Sequence, residues 1–156
     1  MSNIKSILFV CTGNSCRSVM AEALMKKYLK ALGKKDITVR STGIRAFDGY
    51  PPTDETIEVM NEEGIDVSGF KSSALTEDAI KNADLILAMG TIHKNDVIRR
   101  VPEASSKTFL LKEYGRTDSG WSKDPDVPDP IGQPLSEYKK YLAVIKREIE
   151  RVARLL

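Results

Sequence analysis

Residues 7–18 read I-L-F-V-C-T-G-N-S-C-R-S, and the order of residue types in this stretch decides the fold. Ile7, Leu8, Phe9 and Val10 form a short apolar, partly β-branched run, the signature of a strand buried on both faces. From Val19 to Leu32 the apolar residues Val19, Met20, Ala23, Leu24, Tyr28, Ala31 and Leu32 recur at spacings of three and four, which predicts an amphipathic helix over 19–32. The eight residues from Cys11 to Ser18 therefore join a strand to a helix N-terminus. The first turn of a helix leaves several backbone N–H groups without intrahelical partners and carries positive partial charge, so such a loop binds oxyanions. A thiol held there ionises more readily, because fixed positive charge favours the thiolate. Arg17 adds a planar fork of donors that grips two oxygens of one phosphate, a geometry lysine cannot reproduce.

The rest of the chain supplies the frame. Further apolar runs over 37–39, 85–88 and 108–111 read as strands. Helical patterns over 54–63, 77–82, 91–101 and 134–156 alternate with them. Such alternation argues an α/β fold: a three-layer α/β/α arrangement with a four-stranded parallel sheet, Rossmann-like, whose ligand site lies at the carboxyl ends of the strands. The last helix shows Tyr138, Tyr141, Leu142, Ile145, Ile149 and Val152 along one stripe, which should pack on the sheet. At 156 residues, without repeat, low-complexity tract or Pro/Gly-rich linker, the chain fits a single domain over 1–156 that can bury a real core. The formal net charge is only +2 and the basic residues are dispersed, so neither nucleic acid nor a membrane surface is expected as a partner. No secretory signal or spanning segment is apparent. A cysteine needed as thiolate implies a reducing compartment, so the expected location is cytoplasmic. One histidine and two cysteines cannot build a zinc cluster, and no cofactor is implied.

The loop lacks the G-x-x-x-x-G-K-[ST] of nucleotide-binding loops and the dinucleotide G-x-G-x-x-G. A cysteine, five residues, then Arg-Ser at a strand-to-helix turn is far more specific. From Ile7 to Glu22, I-L-F-V-C-T-G-N-S-C-R-S-V-M-A-E closely resembles the signature of the low-molecular-weight protein tyrosine phosphatases, and the resemblance covers nearly the whole chain. That family takes its general acid from an Asp-Pro pair before the last helix. The V-P-D-P stretch places Asp129 and Pro130 there.

The resemblance implies a phosphatase that forms a phosphocysteine intermediate. Cys11 is the expected nucleophile, Arg17 the phosphoryl clamp, and Asp129 the acid that protonates the leaving group and then, ionised, activates water. Thr12, Gly13, Asn14, Ser15, Cys16 and Ser18 are expected to line the phosphate. Asn14 and Ser18 would hold the loop's shape, or simply cap the helix. Ser41, in V-R-S-T-G, matches a family position that hydrogen-bonds toward the loop asparagine. Cys16 reads either as plain packing or as the partner of a reversible disulfide with an oxidised Cys11. Asp124 and Asp126 read as solvated turn residues. His93, in T-I-H-K-N-D at the start of a helix, reads as solvated and without a role. The partners implied are phosphorylated proteins, with inorganic phosphate or other oxyanions as product or inhibitor.

Four readings of the function follow. Phosphotyrosine hydrolysis is the first. Members specialised for phosphotyrosine often carry aromatic residues right after the Asp-Pro, where this chain has Ile131 and Gly132. Members acting on phosphoarginine have a small hydroxyl residue where Ser15 stands. The stretches L-K-E-Y-G and D-P-I-G-Q-P-L-S-E-Y are also similar to their bacterial branch, so a protein-arginine phosphatase is the alternative. Arsenate reductases share the fold but pass oxidation to further cysteines, and this chain has none after Cys16. A non-catalytic phosphoprotein-binding module would have lost the nucleophile or the acid, and both are present. After Val67 the chain reads S-G-F-K-S, with Gly69 near the place of a frequent family histidine, so any role of that histidine has no counterpart in this stretch.

Overall fold

The computed structural model describes residues 3–156, with Trp121 described by its backbone alone. β1 spans Ser6–Cys11 and is buried from Ile7 onward. It lies between β2 (Thr38–Gly43) and β3 (Leu85–Ala88), with β4 (Thr108–Leu110) outside β3, and every pair is parallel. The helices between them are α1 (Arg17–Ala31), α2 (Asp54–Glu62), α3 (Glu77–Asn82) and α4 (Thr91–Arg100). The long α5 (Leu135–Ala153) closes the chain. Short 3₁₀ segments at Pro102–Lys107 and Gly120–Lys123 were not expected from the sequence. The first carries Pro102 at its start, where a missing N–H costs nothing.

Alternation along β1 builds the layers. Ile7 and Phe9 join Val39, Leu85 and Leu87 in a core with Met20, Leu24, Met25 and Leu29 of α1 and Ile145, Ile149 and Val152 of α5. Leu8 and Val10 point to the opposite face and pack with Ile86, with Ile80 of α3 and with Val97 of α4. The expected three-layer parallel sheet is therefore the observed one. Among the described residues no helix is long and apolar enough to cross a membrane.

Most boundaries differ from the sequence reading by a residue or two, and three of the differences have a visible reason. β2 continues through Arg40, Ser41 and Thr42 to Gly43, because its polar end is held by pairing with β1 and not by an apolar pattern. α1 starts at Arg17 and ends at Ala31. Its buried stripe runs through Met25 and Leu29, leaving Ala31 and Leu32 exposed. The last helix stops short of Leu156, ending at Ala153 with Arg154 as its C-cap. Threonine caps set the starts of α2 and α3. Thr53 Oγ1 accepts from Thr56 N–H at 3.2 Å and Thr76 Oγ1 from Ala79 N–H at 3.1 Å, with Asp54, Glu55, Glu77 and Asp78 in the first turns.

The chain leaves β1 for β2 on one side and then crosses to β3 on the other. The strand order thus reverses at the carboxyl end of β1, where open α/β sheets bind ligands. Cys11 is the last residue of β1.

Candidate active site

The loop from Thr12 to Cys16 is shaped by one left-handed residue. Asn14 has φ +52°, a conformation asparagine tolerates better than most residues, and its side chain is fully buried. Its Oδ1 accepts from Ser73 N–H at 2.8 Å, which fixes the orientation of the amide. Nδ2 then donates one hydrogen to Ser18 Oγ at 2.8 Å and the other to Ser41 Oγ at 2.9 Å. Ser41 donates its own proton to Glu22 Oε1 at 2.8 Å. Because Ser18 Oγ already accepts from Asn14, its proton is free for Cys11 Sγ, 2.8 Å away. The network therefore points a hydroxyl donor at the sulfur. Among the described residues, the backbone N–H groups of Gly13 to Arg17 donate to no protein acceptor. They form the donor-rich turn that the strand-loop-helix order predicts.

Gly43 makes the loop's position possible. A β-carbon there would stand 2.4 Å from Thr12 O and 2.8 Å from Asn14 N, distances no real contact shows. Backbone bonds from Ile44 N–H to Cys11 O and from Arg45 N–H to Thr12 O, both 2.9 Å, tie the chain after β2 to the loop. Thr53 N–H and Thr56 Oγ1 bond to Ser15 O from the other end of that segment. Between these anchors Phe47 and Tyr50 stand 76 % and 62 % exposed, their rings edge-on with centroids 6.4 Å apart. No sequence motif marked them. Their signal is the pair of loop anchors, which only the fold supplies.

Arg17 is buried and held in place by backbone as well as side chains. Nη1 donates to Val127 O at 2.8 Å, and Nη2 reaches Thr12 Oγ1 at 3.4 Å and Asp129 Oδ2 at 3.5 Å. Asp129 is 40 % exposed, and its other oxygen accepts from Ile131 N–H at 3.1 Å. Ile131 is itself exposed. The structure thus brings Cys11, Arg17, Asp129, Asn14, Ser18 and Ser41 to one end of the sheet. Cys16 caps α1, and its Sγ lies 3.6 Å from both Thr53 Oγ1 and Tyr138 Oη and 3.7 Å from Ser15 Oγ. Burial pushes the Tyr138 hydroxyl up to about 12, so it is a neutral phenol beside that thiol.

Two readings of the sequence are corrected. His93 is not solvated: it is buried in α4, with Nε2 2.8 Å from Thr12 Oγ1. Burial first, then the Arg17 guanidinium, push its pKa down to about 4 against the pull of Asp126, Asp129 and Asp96, so the ring is neutral at pH 7. Asp126 is half-buried rather than a solvated turn residue. Its Oδ1 accepts from Thr91 N–H at 2.8 Å and from Thr91 Oγ1 at 3.0 Å, capping α4, which has Gly90 where a capping side chain would stand. Asp124 is exposed, as expected, and pairs with Lys112 at 3.3 Å.

Residues 6–156 match the family model described as low molecular weight phosphotyrosine protein phosphatase. The chain is 36% identical over 147 residues to a probable low molecular weight protein-tyrosine-phosphatase, EpsP, of Ralstonia solanacearum, covering 94% of this chain and 92% of that one. It is 37% identical over 150 residues to a protein-arginine-phosphatase of Geobacillus stearothermophilus, covering 96% and 95%. Among solved structures, the low molecular weight protein tyrosine phosphatase from T. tengcongensis superposes with a TM-score of 0.87 at 40% identity, over 97% of this chain and 99% of that one.

Proposed function

The chain belongs to the low molecular weight phosphotyrosine protein phosphatase family, a group of cysteine-based phosphatases, and from that premise we propose that it hydrolyses phosphotyrosine in proteins through Cys11. The observation that carries this is the Ser18 hydroxyl aimed at Cys11 Sγ beside a buried arginine and an acid. In the first step Cys11 thiolate attacks phosphorus, the phosphorus–oxygen bond to the leaving group breaks, and Asp129 delivers its proton to the departing phenoxide. In the second, Asp129 as carboxylate takes a proton from water, which attacks the phosphocysteine and releases inorganic phosphate and the thiolate. Arg17 and the Gly13 to Arg17 amides meet the three equatorial oxygens. Most of the rate gain then comes from donors already oriented in the folded chain.

Phe47 and Tyr50 are an exposed aromatic pair on the segment anchored at both ends to the loop, available in place of the aromatic residues that Ile131 replaces after the Asp-Pro. They would flank the phenyl ring of the substrate, where offset or edge contacts between rings are favourable. A second reading has one observation in its favour. Ser15, a small hydroxyl residue, occupies the loop position where phosphoarginine enzymes carry one, and a protein-arginine-phosphatase is among the similar proteins. The reducing environment that a thiolate nucleophile needs makes the cytoplasm its proposed location. If Cys11 is oxidised there, Cys16 is the thiol placed on the same loop to close a disulfide with it.

The test compares kcat/KM on one peptide carrying phosphotyrosine with one carrying phosphoarginine, using Cys11→Ser as the blank. A preference of tenfold or more for phosphotyrosine, about 1.4 kcal/mol of transition-state stabilisation, supports the first reading. The reverse preference transfers the function to phosphoarginine and makes Ser15 the residue to exchange. Release of phosphate by the blank overturns the role of Cys11.

A further inference from the structure

Beneath the loop lies a buried imidazole that the two-step chemistry above leaves unused. His93 sits in the first turn of α4, 1 % exposed, and meets the phosphate loop through Thr12. The same Thr12 oxygen faces Arg17 Nη2 at 3.4 Å, while Val127 O holds Nη1 at 2.8 Å. A guanidinium can only donate, so Thr12 must offer it a lone pair, and the hydroxyl proton is left for another acceptor. Nε2 of His93, at 2.8 Å, is placed to be that acceptor when it carries no proton.

We propose that His93 is a positioning residue of the phosphate clamp: its unprotonated Nε2 accepts the Thr12 hydroxyl proton, turns a Thr12 lone pair toward Arg17, and with Val127 O sets the plane of the guanidinium. The proposal rests on the reading of Cys11 and Arg17 as the phosphoryl site. It requires a neutral ring with its proton on Nδ1. Arg17 from α1 opposes a charge on that ring. Asp126 and Asp129 from the segment before α5, and Asp96 from α4 itself, favour one, yet burial with Arg17 outweighs them. Nδ1 has no hydrogen-bond partner among the described residues, and a β-carbon on Gly90 would stand 3.4 Å from Nδ1 and 3.2 Å from Asp126 Cγ. That end of the ring borders a carboxylate, where an N–H is favoured over a lone pair. A protonated ring would carry donors on both nitrogens, and the Thr12 hydroxyl proton would lose its acceptor.

Two variants separate a positioning role from simple packing. His93→Gln keeps a neutral side chain with an acceptor near the place of Nε2, whereas His93→Leu fills the space with no acceptor. Turnover of p-nitrophenyl phosphate and calorimetric affinity for inorganic phosphate are measured for both, alone and combined with Thr12→Val. The expected result is a loss of about tenfold in kcat/KM for His93→Leu, the size of one net hydrogen bond, with phosphate affinity falling in parallel. His93→Gln recovers most of it, and His93→Leu costs nothing further in the Thr12→Val background. A folded His93→Leu protein with wild-type kcat/KM and phosphate affinity overturns the proposal, as does the same loss with Thr12→Val present. Should His93→Leu not fold, Thr12→Val decides: unchanged kcat/KM and phosphate affinity overturn the proposal, and a parallel loss in both supports it. Wild type that releases no more phosphate than Cys11→Ser refutes the phosphatase reading instead, and the phosphate affinities still test the clamp.

Discussion

Replacing the Asn14 amide by a carboxylate of the same shape should reverse the direction of the hydrogen bonds that serve Cys11. In an Asn14→Asp variant the new side chain tolerates φ +52° and still accepts from Ser73 N–H, so the loop keeps its frame. An acceptor, however, now stands where Nδ2 donated to Ser18 and Ser41 at 2.8 and 2.9 Å. Both serine protons turn toward it, Ser41 leaves Glu22, and Cys11 Sγ loses its 2.8 Å donor. A hydrogen bond to a charged group contributes roughly 1.5–3 kcal/mol, so kcat/KM on p-nitrophenyl phosphate should fall about ten- to a hundredfold. Alkylation of Cys11 by iodoacetamide at pH 7 should slow in parallel, because the thiolate is the reacting form. Ser18→Ala should reproduce both effects without adding a charge. Asn14→Ala loses three bonds and leaves a left-handed alanine, a cost of about 4 kcal/mol that denaturant unfolding would report. A folded Asn14→Asp protein that turns over and alkylates within twofold of wild type would refute the proposed proton order.

Asp129→Asn should slow turnover by about 10²–10⁴-fold on substrates with poor leaving groups, and much less on p-nitrophenyl phosphate, whose phenoxide leaves without a proton. Equal losses on both would remove Asp129 from the acid role. Gly43→Ala pushes a methyl into Thr12 O and Asn14 N, so it should destabilise the fold by about 1–3 kcal/mol and cut kcat/KM more than tenfold; a wild-type Tm and rate would contradict the contact. His93 makes stability pH-dependent. Its folded pKa of about 4 lies below the ordinary 6.5, so between these values the unfolded chain binds a proton that the folded one refuses. Stability is then fully present above pH 6.5 and falls by roughly 3 kcal/mol as pH drops to about 4, at ~1.4 kcal/mol per pH unit. Urea midpoints across that interval should drop more steeply in wild type than in His93→Gln.

The parts legible from sequence share one property: the residues that define them are neighbours in the chain. The buried run of β1, the cysteine-to-arginine spacing and the helical period of α1 lie within some two dozen residues. The Asp-Pro pair ahead of α5 is marked by its own short motif. Residues that matter through distant contacts were invisible or misread. The polar end of β2 carries no apolar alternation, yet it pairs with β1; Ser41 at that end is marked by the family resemblance alone, and it bonds Asn14 as the resemblance implies. His93 stands 81 positions from Thr12, and nothing in T-I-H-K-N-D announces a buried ring. Asp126 looks like any loop aspartate until Gly90, with no side chain to cap α4, is found beneath it.

Local order along the chain therefore determined the layered parallel sheet, the strand-loop-helix turn at Cys11 and the chemical types gathered there. These follow from periodicity and from the unpaired donors of a helix start, which need only neighbouring residues. Tertiary structure alone decided how the Arg17 fork is oriented, which hydroxyl serves Cys11, and that the one histidine is buried and neutral. The grip of Val127 O on Arg17 and the approach of the loop to Gly43 depend on segments brought together across the sheet. Burial and hydrogen-bond direction are properties of that assembled environment, and no local pattern of residues carries them.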